Sequence, residues 1–164
     1  MPEYRLAING AVLEWFVGRK REQPCGPAEH REYQMYHAFL KGERIYLRGL
    51  EDTDVDSNYF QWLNDQEVCR GNSHGLFPIR RSDLARYVSQ AGEYRANLVL
   101  AIIVSASETH IGNIALQNID WVSRSAEFAI LVGEKEFWGK GYGLEAGRMI
   151  IEHGFKALNL HRIY

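Results

Sequence analysis

Residues 126–151 read AEFAILVGEKEFWGKGYGLEAGRMII, and the fold turns on how this stretch is parsed. AEFAILVG (126–133) is an apolar run of strand length, bounded by turn residues. After a short polar link, Gly139, Gly141 and Gly143 alternate with Lys140 and Tyr142, and a helix-like pattern follows without a break. Ile151, Phe155 and Leu158 recur at i, i+4 and i+7, which predicts an apolar helix face. A glycine-rich strand-to-helix connection is either a cradle for an anion or a plain turn with an N-cap.

Counting removes two phosphate-binding codes. A P-loop needs G-x-x-x-x-G-K-[ST]; Gly133 and Gly139 are one residue too far apart, and Gly141 stands where the hydroxyl residue belongs. A dinucleotide fingerprint laid over Gly141, Gly143 and Ala146 does not follow its strand directly, and its acidic partner, roughly 20 positions later, falls about where the sequence ends. What is left is a loop of backbone N–H groups entering a helix N-terminus, which holds a pyrophosphate without a dedicated side chain. Glycine lets the backbone approach the anion, and Lys140 adds a charge. Spacing alone leaves the plain turn open.

Upstream, RIYLRGL (44–50) predicts a strand and EDTDVD (51–56) a helix start capped by Thr53 or Asp54. Val55, Tyr59, Trp62 and Leu63 form one apolar stripe. Ser82 is placed to cap a second helix with Leu84, Tyr87, Val88 and Ala91 on one side. NLVLAIIV (97–104) is almost wholly apolar, as for a strand covered on both faces. With THIGNIALQNID (109–120) and the 126–133 run it predicts an antiparallel meander, and HRIY (161–164) begins another strand. The order β-α-α-β-β-β-α-β describes a mixed α/β layer fold, with residues 1–40 an extension or linker and 41–164 the folded domain.

Composition narrows the function. The chain has 164 residues, 46% of them hydrophobic, and a formal charge of −2, so nothing in it builds a field for a nucleic-acid backbone. The basic knot GRKR (18–21) is isolated. Cys25 and Cys69 match no metal-ligand spacing and are expected to stay reduced in a cytoplasmic protein. No apolar run approaches the ~20 residues of a membrane helix, and LAINGAVLEWFV (6–17) lacks a cleavage site. The expectation is no metal, no nucleic acid and no membrane.

The longer string AEFAILVGEKEFWGKGYGLEAGRMIIEHGFKALNLHRIY (126–164) resembles the acetyl-CoA-binding half of the GNAT-superfamily N-acetyltransferases, nearest to the branch that includes ribosomal-protein-alanine acetyltransferases. Trp138-Gly139-Lys140-Gly141-Tyr142-Gly143 fits the superfamily's Arg/Gln-x-x-Gly-x-Gly/Ala signature, with Trp in first place. IYLRGLEDTD (45–54) and YFQWLNDQEV (59–68) are similar to the branch's first strand and helix. The resemblance covers roughly 43–164.

It implies a GNAT-like, mainly antiparallel twisted sheet flanked by helices, and direct transfer of an acetyl group from acetyl-CoA to a primary amine. Backbone near Ile130, Leu131 and Val132 would bond the pantetheine arm. Trp138 to Gly143, with Leu144, would hold the pyrophosphate. Glu127 would be the base, tuned by burial in the cleft. His74 and His110 are candidate relays, and Tyr59, Trp62 and Asn64 candidate lining for an acceptor. The acceptor would be a protein N-terminus, a polyamine or an amino sugar, and a homodimer is a candidate assembly. The family's final helix and strands are expected to be lacking after Tyr164. A catalytically impaired CoA-binding remnant, or a partner-binding module, is therefore the alternative reading.

Overall fold

In the computed structural model, the residues described are 38–72, 74–91 and 95–164, with two short strands nearer the N-terminus. The GRKR knot, Cys25 and the loop around it lie outside them. The chain divides into two compact units, 1–33 and 34–164. In the first, β1 (Ala7–Ile8) pairs antiparallel with β2 (Ala11–Val12).

The second unit is built on the apolar runs. Its sheet has six strands in sequence order: β3 (Leu40–Lys41), β4 (Ile45–Gly49), β5 (Leu98–Val104), β6 (Thr109–Asp120), β7 (Ser125–Val132) and β8 (Arg162–Ile163). Neighbours are antiparallel except β7 and β8, which run parallel. β5 is buried along nearly its whole length, as its unbroken apolar run requires. Each of its faces carries a separate core.

On one face, α3 (Tyr142–Lys156) packs Ala146 and Ile150 against Ile45, Leu47, Ile102, Ile114 and Leu116. On the other, a 3-10 segment (Asp52–Asp56), α1 (Tyr59–Asn64) and α2 (Arg81–Gln90) bring Val55, Tyr59, Trp62, Leu63, Leu84 and Val88 together. This is a mixed α/β, three-layer fold.

Three local expectations are corrected. Thr53 and Asp54 do not cap a helix that runs through the stripe. Asp54 sits inside the 3-10 segment and accepts from the Glu51 N–H at 2.8 Å, and α1 starts afresh after Asn58. Ser82 lies within the first turn of α2, whose N-cap is Arg80, and Tyr87 is 39% exposed. The buried face of α3 is Ala146, Gly147, Ile150 and Gly154, while Phe155 is 45% exposed and Leu158 falls beyond the helix end. Close approach to the sheet selects small residues there, which a count of hydrophobic side chains passes over. Among the described residues no helix is long and apolar enough to cross a membrane, and no cluster of three His, Cys, Asp or Glu side chains is placed to hold a metal ion.

Candidate active site

The glycine loop begins where β7 ends. Gly133 carries the chain past the Trp62 ring, so close that a Cβ there would overlap the indole. Trp62 Nε1 then donates to Glu134 Oε1 at 3.2 Å and Asn58 Nδ2 to the same oxygen at 2.7 Å, which ties α1 to the start of the loop. A 3-10 turn (Lys135–Phe137) follows, and Trp138 Nε1 donates back to the Val132 carbonyl at 2.8 Å.

Gly139 (φ +70°) and Gly141 (φ +83°) are both left-handed, and Gly141 is the N-cap of α3. A side chain at either position would be strained. Val132, Phe137, Trp138, Gly139, Gly141, Tyr142, Gly143 and Leu144 line a cleft of about 290 Å³. The first N–H groups of α3 open towards this loop without partners inside the helix, and the helix adds partial positive charge. A Cβ at Gly139 would meet nothing within 4 Å, so it is the backbone conformation and not crowding that calls for glycine there. Lys140 is not in the cleft wall; its ammonium lies 5.7 Å over the Phe137 ring.

A clamp that sequence reasoning missed holds the loop from behind. Arg44 Nη1 donates to the Lys140 carbonyl (3.0 Å) and Nε to Glu145 Oε2 (2.9 Å), with the guanidinium 4.6 Å over the Tyr142 ring. Glu145 Oε1 accepts the backbone N–H groups of Glu43 and Arg44, each at 2.9 Å. Burial works against the Glu145 charge, but these Arg44 and Glu43 contacts win and lower its pKa. Its negative charge is therefore spent on Arg44 and does not oppose an anion at the helix start.

On the other side of β7, α1 and α2 meet the sheet around a cavity of about 80 Å³. Its wall includes Tyr59, Leu63, Asn72, His74, Tyr87, Asn113, Gln117, Ala129, Ile130 and Leu131. Burial foremost, then the nearby Tyr87 and Asp54, push the Tyr59 phenol well above its ordinary range, so it stays a neutral donor. Ile130 and Leu131 thus border this cavity and Val132 the glycine cleft, so β7 links the two. β8 pairs with β7 only from Ser125 to Phe128, where the Phe128 N–H reaches the Tyr164 carbonyl at 2.8 Å. Among the described residues the same edge of 129–132 carries no strand.

Glu127 lies directly opposite Gln117 across the β6–β7 ladder and shares a face with Ala129 and Leu131. It is exposed, so the burial expected of it is absent, and it accepts from Asn118 Nδ2 at 2.9 Å. Asn118 is left-handed (φ 51°), at the irregularity that breaks the β6–β7 register. Arg124, close by in sequence, does not pair with Glu127 but donates to the carbonyl and side chain of Asn159.

Of the two candidate relays, His74 reaches the cavity wall and His110 does not. The His110 ring packs edge-on against Trp62 at 5.0 Å, and Nδ1 stands 3.4 Å from Asp54 Oδ1. Asp54 is buried at 3% exposure and takes Arg48 in a two-pronged ion pair of 2.8 and 2.7 Å. Trp62 is core, and Asn64 uses its amide to pair with both backbone groups of Ile79. Cys69 is buried, with Sγ 3.2 Å from the Trp62 carbonyl. No sequence pattern marks the Arg44–Glu145 or Arg48–Asp54 pairs; the acids read only as helix-start charges.

A strand that ends at a left-handed glycine loop opening a helix is the geometry of an anion cradle. Residues 44–164 match the acetyltransferase (GNAT) domain family. An uncharacterized N-acetyltransferase, p20, of Bacillus licheniformis is 32% identical over 127 residues, 76% of this chain and 70% of that protein. The probable N-acetyltransferase YjcK of Bacillus subtilis is 30% identical, over 76% of this chain and 71% of its own. The crystal structure of spermidine N-acetyltransferase from Vibrio cholerae, in complex with CoA and spermine, superposes with a TM-score of 0.64 at 25% identity, covering 74% of this chain and 70% of that one. The chain belongs to the GNAT acetyltransferases, and it is an acetyl-CoA-dependent enzyme that transfers the acetyl group to an amine.

Proposed function

We propose that residues 41–164 bind acetyl-CoA with the pyrophosphate in the 138–144 cleft and the pantetheine arm along the free edge of β7. The acyl group then lies where Ala129, Ile130 and Leu131 border the cavity under α1. The observation that supports this reading best is the pair of left-handed glycines, Gly139 and Gly141, at the N-terminus of α3. The Trp138–Gly143 form of the loop assigns the chain, in our reading, to the ribosomal-protein-alanine branch of the family.

In the reaction, a neutral amine nitrogen attacks the thioester carbonyl carbon and the carbonyl π pair moves to oxygen. That pair returns as the C–S bond breaks, and CoA leaves as a thiolate. A backbone N–H of β7 stabilises the developing oxyanion. The new amide nitrogen loses its extra proton to Glu127, directly or through water. In this reading Asn118, bonded to Glu127 Oε2, orients that carboxylate.

Calorimetric titration with acetyl-CoA, CoA and NAD, followed by a thiol-release assay on an amine panel, tests the whole reading. Acetyl-CoA and CoA are expected to bind and NAD not to; NAD binding without CoA binding would overturn it. Glu127→Gln should leave CoA affinity intact and slow turnover most below the pKa of the amine, by about 10²–10⁴-fold. An unchanged rate there removes Glu127 from the mechanism.

A further inference from the structure

One carbonyl of the glycine loop is held from outside the cleft. Lys140 stands between the two left-handed glycines, and its carbonyl accepts from Arg44 Nη1 at 3.0 Å. Neither Arg44 nor Lys140 belongs to the cleft wall, whereas Gly139 and Gly141 do. The peptide joining Lys140 to Gly141 is trans, so its carbonyl and its N–H point in opposite directions. Fixing the carbonyl on Arg44 therefore fixes the Gly141 N–H facing away from Arg44. A glycine on each side of Lys140 leaves the backbone there easy to turn, so the direction of that N–H needs an outside hold.

Arg44 is itself tied down. Its Nε donates to Glu145 Oε2 at 2.9 Å, its backbone N–H donates to Glu145 Oε1 at 2.9 Å, and its guanidinium lies 4.6 Å over the Tyr142 ring. The turn between β3 and β4 is shaped for that carboxylate. A Cβ at Gly42 would come within 2.7 Å of Glu145 Oε1 and 2.9 Å of Met149 Sδ. Gly42 has no left-handed backbone to account for it; the closeness of Glu145 does. A flat guanidinium serves a carbonyl, a carboxylate and a ring face together, which an ammonium cannot do.

We propose that Arg44 is a positioning residue for acetyl-CoA: by holding the Lys140 carbonyl it aims the Gly141 N–H at the pyrophosphate, while Glu145 and Gly42 keep Arg44 in place. A donor aimed before the ligand arrives need not be ordered on binding, so the hold is felt as affinity. The inference rests on the acetyl-transfer reading and on the pyrophosphate site given above.

The test uses the full chain and its Arg44→Lys, Arg44→Ala and Gly42→Ala variants, each first checked for a cooperative melt without ligand. Calorimetric titration with CoA should show each variant binding about tenfold more weakly than the unmodified chain. Acetyl-pantetheine, which has the same thioester and arm but no pyrophosphate, separates positioning from general loosening. The ratio of kcat/KM for acetyl-CoA to that for acetyl-pantetheine should fall about tenfold in Arg44→Lys, through KM for acetyl-CoA and not through kcat. Arg44→Lys keeps the positive charge. CoA affinity within about twofold of the unmodified chain in that variant would reduce Arg44 to a point charge and overturn the proposal. An equal loss with both donors would overturn it as well, because a purely structural role does not sense the pyrophosphate. Gly42 is outside the cleft wall, so a loss of CoA affinity in Gly42→Ala supports the hold, and undiminished affinity would strike Gly42 and Glu145 from it. Failure of the unmodified chain to bind CoA would instead overturn the acetyl-transfer reading. Loss of CoA affinity in Gly141→Val but not in Arg44→Lys would leave that reading standing and this proposal fallen.

Discussion

At the scale of single residues, backbone conformation and buried charge set the local geometry. Gly141 sits at φ +83°, and a Cβ there would lie 3.4 Å from Arg44 Nη2. Gly141→Val is therefore expected to weaken CoA binding at least tenfold by calorimetry while leaving the sheet folded, because the left-handed turn costs a branched residue about 1–2 kcal/mol and the added side chain presses on the Arg44 clamp that holds the loop. Normal CoA affinity in a folded variant would show that the loop has another role. Asp54 is a residue of the opposite kind, buried for structure. Arg48, with its side chain only 13% exposed, depends on it. Asp54→Ala should cost about 3–5 kcal/mol in urea unfolding, since it strands a buried guanidinium. A loss of under 1 kcal/mol would mean that water reaches Arg48 freely.

Among the elements, α3 shows what a hydrophobic count can and cannot read. The helix itself was legible from the glycine loop that opens it. Its buried face was not, because Gly147 and Gly154 have no side chain to score. A Cβ at Gly154 would approach Ile163 Cδ1 to 2.8 Å and Leu116 Cδ1 to 3.0 Å. Contact this close seats the C-terminal half of α3 against β6 and β8. Gly154→Val is expected to destabilise by about 1–3 kcal/mol through overpacking, and Ile150→Ala, fully buried, by about 2–5 kcal/mol. Phe155→Ser should change the urea midpoint little, within about 0.5 kcal/mol. If Phe155→Ser proved the most damaging of the three, the helix would be rotated from the face described.

For the whole molecule, stability should depend on acid and on ligand in ways the site explains. Burial alone would raise the Asp54 pKa; hydrogen bonds from Arg48, His110 and the Glu51 N–H reverse that and hold it well below the usual carboxylate range. The folded state therefore favours the ionised form. That stabilisation is complete above about pH 4, the ordinary carboxylate value, and is lost as pH falls through the lower folded value. Asp54→Asn should flatten this acid limb of a stability–pH profile, and an unaltered limb would assign it to other carboxylates. Acetyl-CoA at a hundred times its dissociation constant should stabilise the fold by about 2.7 kcal/mol. That corresponds to a melting rise of roughly 5–10 °C, which CoA should share and NAD should not.

The amino-acid sequence by itself determined the β5–β6–β7 meander, the two helices ahead of it and the glycine loop opening α3, because each depends on periodicity and turn chemistry within a few dozen contiguous residues. The loop's resemblance also carried the family. Only the tertiary structure decided which groups back that loop and which face the cavity. Arg44 and Glu145 meet across 101 positions of sequence, and Arg48, Asp54 and His110 converge from a strand, a 3-10 turn and a second strand. Such pairings depend on how the layers pack, and no local pattern encodes them.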